Sequence, residues 1–142
     1  MIIRRLTSSD VIAAAPLMDD LGYPATADAF AERFAALCAN PSSAVLVAEA
    51  DGSFLGLVSV HSFEMLHRPG RLGRITALVV ASSARGRGVG TELLKAAEDH
   101  LQQIGCTMLE VTSNDRRADA HAFYSARGYR EKRVRFVKSP AS

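Results

Sequence analysis

At 142 residues, 48% of them hydrophobic and 23% charged, the chain has the apolar content for one domain around a single core. A net charge of +2, with no block of like charge, supplies no basic face for nucleic acid. No apolar run is long enough to span a bilayer and no signal-peptide core is present, so neither a membrane nor secretion is expected. Cys38 and Cys106 lack C-x-x-C spacing and any histidine pattern. They are expected to be buried thiols in a reducing cytoplasm, and no metal site is expected.

Residues 2–6 read as a short strand. Thr7-x-x-Asp10 resembles a capping box, with Leu6 and Val11 spaced as a hydrophobic staple across it. The helix that follows should stop before Gly22, and Pro16 should kink or divide it, because proline lacks the amide and clashes with the preceding turn. Thr26 can cap a second helix in which Phe30, Phe34 and Leu37 share a face, and Asn40-Pro41 ends it. Strands over 44–50 and 54–63 flank Asp51-Gly52, a pair that favours a type I′ hairpin turn. A polar loop over 64–73 leads to a strand over 74–80.

Beyond Gly88, Val89, Leu93, Ala97, Leu101 and Ile104 recur at helical spacing, and Gly105 is placed to end that helix. Residues 106–112 return as a strand, which makes a β–α–β unit. A last helix over 115–127 ends at Gly128, and residues 129–137 supply a terminal strand. No repeat or linker interrupts the chain, so a single domain over 1–142 is expected. Its class is α+β, a mixed sheet with helices on both faces.

Arg85-Gly86-Arg87-Gly88-Val89-Gly90 carries the chemistry. Glycine leaves backbone amides unobstructed and tolerates the dihedrals of an anion-cradling turn. The following helix adds unpaired N–H donors and partial positive charge at its N-terminus. The loop is not a Walker A motif, since Gly90 is followed by Thr91 without a lysine. It is not a dinucleotide fingerprint either, since Thr91 stands where the third glycine is required and the loop lies past mid-chain. What remains is Arg-x-x-Gly-x-Gly between an apolar strand and a helix. A second pattern follows: Asn114, then Arg117-x-x-Ala120-His121-x-Phe123-Tyr124-x-x-x-Gly128-Tyr129.

The two motifs, in this order and separation, resemble those of the GNAT family of N-acetyltransferases. The resemblance implies the acyl-CoA N-acyltransferase fold, in which two central parallel strands splay apart and acetyl-CoA enters the gap. It implies that Arg85, Gly86, Arg87, Gly88, Val89, Gly90 and Thr91 hold the pyrophosphate. Leu78, Val79 and Val80 would offer backbone groups to the pantetheine arm as to an added strand. Tyr124, touching the cofactor, is the implied general acid for the departing thiolate, its phenol lying close enough in pKa to a thiol for proton transfer. On its helix Arg117, Ala120, His121 and Tyr124 fall on one side, while Phe123 turns inward.

Asn114 would either cap that helix or bind the pantetheine arm. His121 reads as structural more readily than catalytic, and Arg117 and Arg127 as phosphate ligands or surface ion-pair partners. Family members frequently carry an acidic residue where Thr76 and Ala77 stand here, so no carboxylate is carried over as general base. Glu64, His61, His67, Asp19 and Asp20 border the expected acceptor cleft, and a water relay is an equal alternative. The implied reaction is direct transfer of acetyl to a primary amine in a ternary complex, without a metal. A small-molecule acceptor is favoured over a protein N-terminus or lysine. From another class stands a non-catalytic acyl-CoA-binding sensor, which the missing strand carboxylate favours and Tyr124 disfavours. A homodimer is the family expectation.

Overall fold

The computed structural model describes residues 1–112, 118–132 and 135–140. The chain forms two compact units, Met1–Thr112 and Ser113–Ser142. The first holds a five-stranded sheet in the order β1-β2-β3-β4-β5. Its strands are β1 (Ile2–Arg5), β2 (Ser43–Ala50), β3 (Ser53–Glu64), β4 (Arg71–Val80) and β5 (Cys106–Val111). Neighbouring strands are antiparallel except β4 and β5, which are parallel and joined by the long helix α4 (Val89–Gln103).

Three short helices connect β1 to β2: α1 (Val11–Ala14), α2 (Leu17–Leu21) and α3 (Ala27–Cys38). Pro16 divides the first two, and Gly22 stops α2 in the left-handed region at φ 96°. The Thr26 hydroxyl accepts from the Ala29 amide at 3.1 Å, so α3 starts where a side-chain acceptor replaces the missing intrahelical partner. Asp51 and Gly52 both have positive φ, as the type I′ turn of the β2–β3 hairpin demands. Strand β4 begins at Arg71, so the loop before it is shorter than expected and the hairpin reaches to Glu64 paired with Arg71. Arg71 anchors this end, donating to the buried Ser62 hydroxyl at 2.9 Å and pairing with Glu64 at 3.4 Å.

Helix α4 lies across β2, β3, β4 and β5, burying Val89, Leu93, Leu94, Ala97 and Leu101. Each buried leucine contributes about 1.5–3 kcal/mol relative to exposure. Close approach depends on two glycines in the sheet. A Cβ at Gly56 would sit 3.0 Å from Leu93 Cδ1 and 2.5 Å from the Val79 carbonyl. One at Gly73 would meet Leu101 at 2.9 Å and Cys106 Sγ at 3.1 Å. Leu55, Leu57 and Val79 alternate with these positions and are buried on the opposite face, where α2 packs on β4 and α3 on β2.

Arg4 ties the first helical turn to the sheet. It donates to both Asp10 oxygens at 2.8 and 3.0 Å, and through Nε to Glu49 on β2 at 2.8 Å. Asp10 also accepts from the Thr7 amide at 2.7 Å, the reach-back bond of the expected capping box. The Arg4 guanidinium, foremost, and the Thr7 donors hold the Asp10 carboxyl well below the usual carboxylate range.

Two expectations are corrected here. Cys106 is buried but Cys38 is exposed, as is Leu37 beside it. Helical spacing chooses the apolar side of α3 but not how far along its axis the cover extends, and burial ends at Phe34. Among the described residues the terminal strand is absent, since 129–132 and 135–137 carry no strand. Four consecutive charged residues, 130–133, break any alternation in that run, and strand hydrogen bonds need a neighbouring strand. Phe136 is 93% exposed. In the second unit, α5 (Ala118–Ser125) is followed by a turn ending at Gly128, φ 89°. The expected residues 115–117 of this helix lie outside the described residues.

Two outcomes follow from these contacts. Asp10→Asn should lower Tm at pH 7, because a carboxyl with a depressed folded pKa stabilises above its unfolded value near 3.9. As the pH falls from about 4 towards the depressed folded pKa the wild type loses that contribution progressively, so the gap between the two melting temperatures should narrow steadily on acidification. A thiol reagent should label Cys38 rapidly and Cys106 only on unfolding, since burial covers the Cys106 thiol and raises its pKa.

Candidate active site

Parallel pairing of β4 with β5 runs from Arg71↔Cys106 to Ile75↔Val111, and the Thr112 amide adds a bond to the Ile75 carbonyl at 3.3 Å. Strand β4 continues five residues further, 76–80, and among the described residues these pair on one side only, with β3. The two strands therefore fork at Ile75. Thr76 is a β-bulge residue, passed over between the pairs Ser59↔Ala77 and Val60↔Ile75, and its hydroxyl donates to the Ser59 carbonyl at 3.1 Å.

The bulge resets the alternation of the strand. The Ala81 amide donates to Leu55 at 2.8 Å, so Ala81, Val79 and Ala77 point their polar backbone groups at β3. Leu78 and Val80 point theirs to the side that β5 has left. Of the three residues expected to offer such groups, Leu78 and Val80 are turned outward and Val79 is not. The Val79 side chain belongs to the core instead.

Beyond Val80 the chain makes a single 3-10 turn, Ser82–Ala84, and enters the glycine loop. Ala84 is fully buried, which pins the loop to the body, while Arg85 and Arg87 are exposed. Gly86 and Gly88 have φ of 80° and 78°, the left-handed region that favours glycine. Among the described residues nothing lies within 4 Å of a Cβ built at either, so the loop is shaped by backbone torsion. Gly88 is also the N-cap of α4, and the first intrahelical bond runs from the Glu92 amide to the Gly88 carbonyl at 3.1 Å. The amides of Val89 and Gly90 precede that bond, at the positive end of a 15-residue helix. Exposed guanidinium groups, helix-end amides and an open left-handed turn make an anion site suited to phosphate.

In the second unit, Tyr124 is half-buried and packs edge-on against Phe123 at 5.2 Å and near Tyr129 at 6.0 Å. Arg127 stacks on the Phe123 ring at 3.8 Å and donates to the Phe123 carbonyl at 2.8 Å, which gives it a packing role on its own helix. His121 is exposed. Asn114 and Arg117 lie outside the described residues.

The base candidates separate by position. His61 lies on β3 opposite Arg74, its Nδ1 3.0 Å from the Ser43 hydroxyl. Glu64 is exposed beside Arg71, His67 is exposed in the β3–β4 loop, and Asp19 is exposed at the helix end. Sequence reading missed one feature, an ion pair between Arg74 on β4 and Glu110 on β5. These residues are 36 apart in sequence and only the parallel register brings them together. A concavity of about 420 Å³ at Met1, Ile2, Glu49, Ala50, Asp51 and Gly52 shares no residue with the fork or the glycine loop. Among the described residues no group of three histidine, cysteine or acidic side chains is placed to hold a metal.

Comparison with known proteins agrees with this geometry. The acetyltransferase (GNAT) family model matches residues 14–129. The chain is 35% identical over 123 residues to aminoalkylphosphonate N-acetyltransferase of Salmonella typhimurium, covering 87% of this chain and 77% of that protein. It is 34% identical over 116 residues to glucosamine 6-phosphate N-acetyltransferase 1 of Oryza sativa, covering 78% and 68%. A GNAT acetyltransferase structure from Staphylococcus aureus superposes with a TM-score of 0.84 at 23% identity over 98% of both chains, which speaks for the fold. The chain belongs to the GNAT family and is an acetyl-CoA-dependent N-acetyltransferase.

Proposed function

We propose that the acceptor is a small-molecule primary amine, acetylated by direct attack on acetyl-CoA within a ternary complex. The observation that carries the site assignment is the glycine loop placed directly after the end of β4 that, among the described residues, pairs with β3 alone. In this reading Arg85, Gly86, Arg87, Gly88, Val89, Gly90 and Thr91 receive the pyrophosphate. The outward groups of Leu78 and Val80 receive the pantetheine arm as a strand added at the fork. Both relatives described above are named for small amines, which supports a small acceptor over a protein.

Tyr124 is assigned as the general acid that protonates the departing thiolate, and Asn114 as a ligand of the pantetheine arm or cap of its helix. Residues 1–142 act as a single domain, as a family match running from 14 to 129 across both units supports. We place the enzyme in the cytoplasm as a homodimer, whose mass light scattering would report.

Acetyl-CoA at about a hundred times Kd should stabilise the protein by roughly 2.7 kcal/mol, a rise of several degrees in Tm that ATP and NAD do not reproduce. Arg85→Ala should weaken acetyl-CoA binding about ten- to hundred-fold through loss of a charge-assisted bond. Gly88→Val should abolish it, combining a side chain at the phosphate with strain at positive φ, and undiminished affinity would refute the loop assignment. Tyr124→Phe should keep acetyl-CoA binding and lower kcat by about tenfold or more. Binding of acetyl-CoA without thiol release for any amine would mark a sensor domain in place of an enzyme.

A further inference from the structure

The face of the sheet opposite α4 carries a polar patch at the fork. His61 on β3 and Arg74 on β4 are cross-strand partners, and Glu110 on β5 is the parallel partner of Arg74. Phe63 lies beneath, with the Arg74 guanidinium 5.2 Å from its ring centroid and the His61 ring 6.1 Å away. Arg74 and Glu110 side chains are each 37% exposed.

The pair is built end-on. Glu110 takes the Nε–H of Arg74 through Oε1, which leaves both Nη groups of the guanidinium and Glu110 Oε2 outside the bond. An ion pair serving only to join two strands gains most from bidentate contact. Here two Nη donors of one partner and one oxygen of the other are not used in the bond that joins them.

Position gives this patch a use. The inference rests on the acetyl-CoA placement proposed above. With the pyrophosphate beyond Val80, an arm added along β4 passes Val80 and then Leu78, and the closed pairing at Ile75 blocks it. From Val80 to Thr76 is about 13 Å of strand at roughly 3.3 Å per residue. The reactive end therefore arrives beside Thr76, one rung from Arg74 and Glu110.

We infer that Arg74 and Glu110 bind the acceptor, and that the acceptor is a short zwitterionic amine. Glu110 Oε2 accepts a hydrogen bond from its amino group, and the Arg74 Nη groups take its oxyanion, a phosphonate, phosphate or carboxylate. A guanidinium fork matches these oxyanions where a neutral amine offers it nothing. The Phe63 ring beneath holds the guanidinium in plane as the ligand engages. Arg74 thus sets specificity.

Three amines of similar length test this: 2-aminoethylphosphonate, 3-aminopropanoate and propylamine, compared by thiol release at saturating acetyl-CoA. The wild type should favour one or both anionic amines over propylamine by about ten- to hundred-fold in kcat/KM. Arg74→Ala should remove that preference, chiefly through KM, while retaining the acetyl-CoA thermal shift that reports an intact fold. Glu110→Gln should raise KM for all three. Calorimetric titration of the same amines into the CoA-saturated protein supplies a readout without turnover.

Equal use of propylamine by the wild type, or a preference that survives Arg74→Ala, overturns the inference and leaves the acetyltransferase reading standing. Binding of an anionic amine that depends on Arg74, without thiol release, supports the pair and counts against the enzyme reading. No binding and no turnover for either anionic amine overturns it.

Discussion

The parallel ladder between β4 and β5 ends at Ile75 while β4 runs on to Val80, and the candidate site depends on that mismatch. A strand left with one neighbour has backbone donors and acceptors that must be satisfied by something other than the sheet. At Leu78 and Val80 those groups face the side β5 has left, and the bulge at Thr76 sets which residues they are. Without the bulge the alternation would run one residue out of phase. Ala77 and Val79 would then present outward and the buried Val79 side chain would leave its place in the core.

Holding the fork open and aiming the glycine loop are the same packing problem. Helix α4 must cross the sheet closely enough for its first turn to stand over the end of β4. Gly56 and Gly73 permit this, since a methyl at either would collide with Leu93 or Leu101. Those leucines are fully buried, so the helix axis is fixed by apolar contact along its length. Its N-terminal amides then point where the left-handed turns of Gly86 and Gly88 leave space. The proposed phosphate site at one end thus rests on close packing in the middle.

The polar groups divide by what surrounds them. Arg4, Asp10 and Glu49 form a network in which Asp10 is held from two sides, by Arg4 and by the Thr7 amide, and this reads as a brace for the edge strand. Arg71 is similarly engaged by Ser62 and Glu64. Arg74 and Glu110 differ, each keeping hydrogen-bonding capacity beyond the single bond between them, next to the fork. An ion pair with spare donors and acceptors exchanges partners at lower cost than a fully engaged one, because less is left unsatisfied during the exchange.

Local chemistry was legible from the sequence alone. Thr26 capping α3, Pro16 dividing the first helix, the Asp51-Gly52 turn and the glycine loop opening α4 each depend on residues a few positions apart, so residue type and spacing suffice. The family followed from two such motifs. Tertiary structure decided what depends on partners distant in sequence. Cys38 and Leu37 are exposed because α3 outruns its cover, and residues 129–132 and 135–137 carry no strand because apolar content does not by itself supply a pairing partner. Register is the deepest instance. Nothing near Arg74 in the sequence announces Glu110, and only a parallel pairing across 36 residues, shifted by a one-residue bulge at its start, places the two carriers of charge side by side.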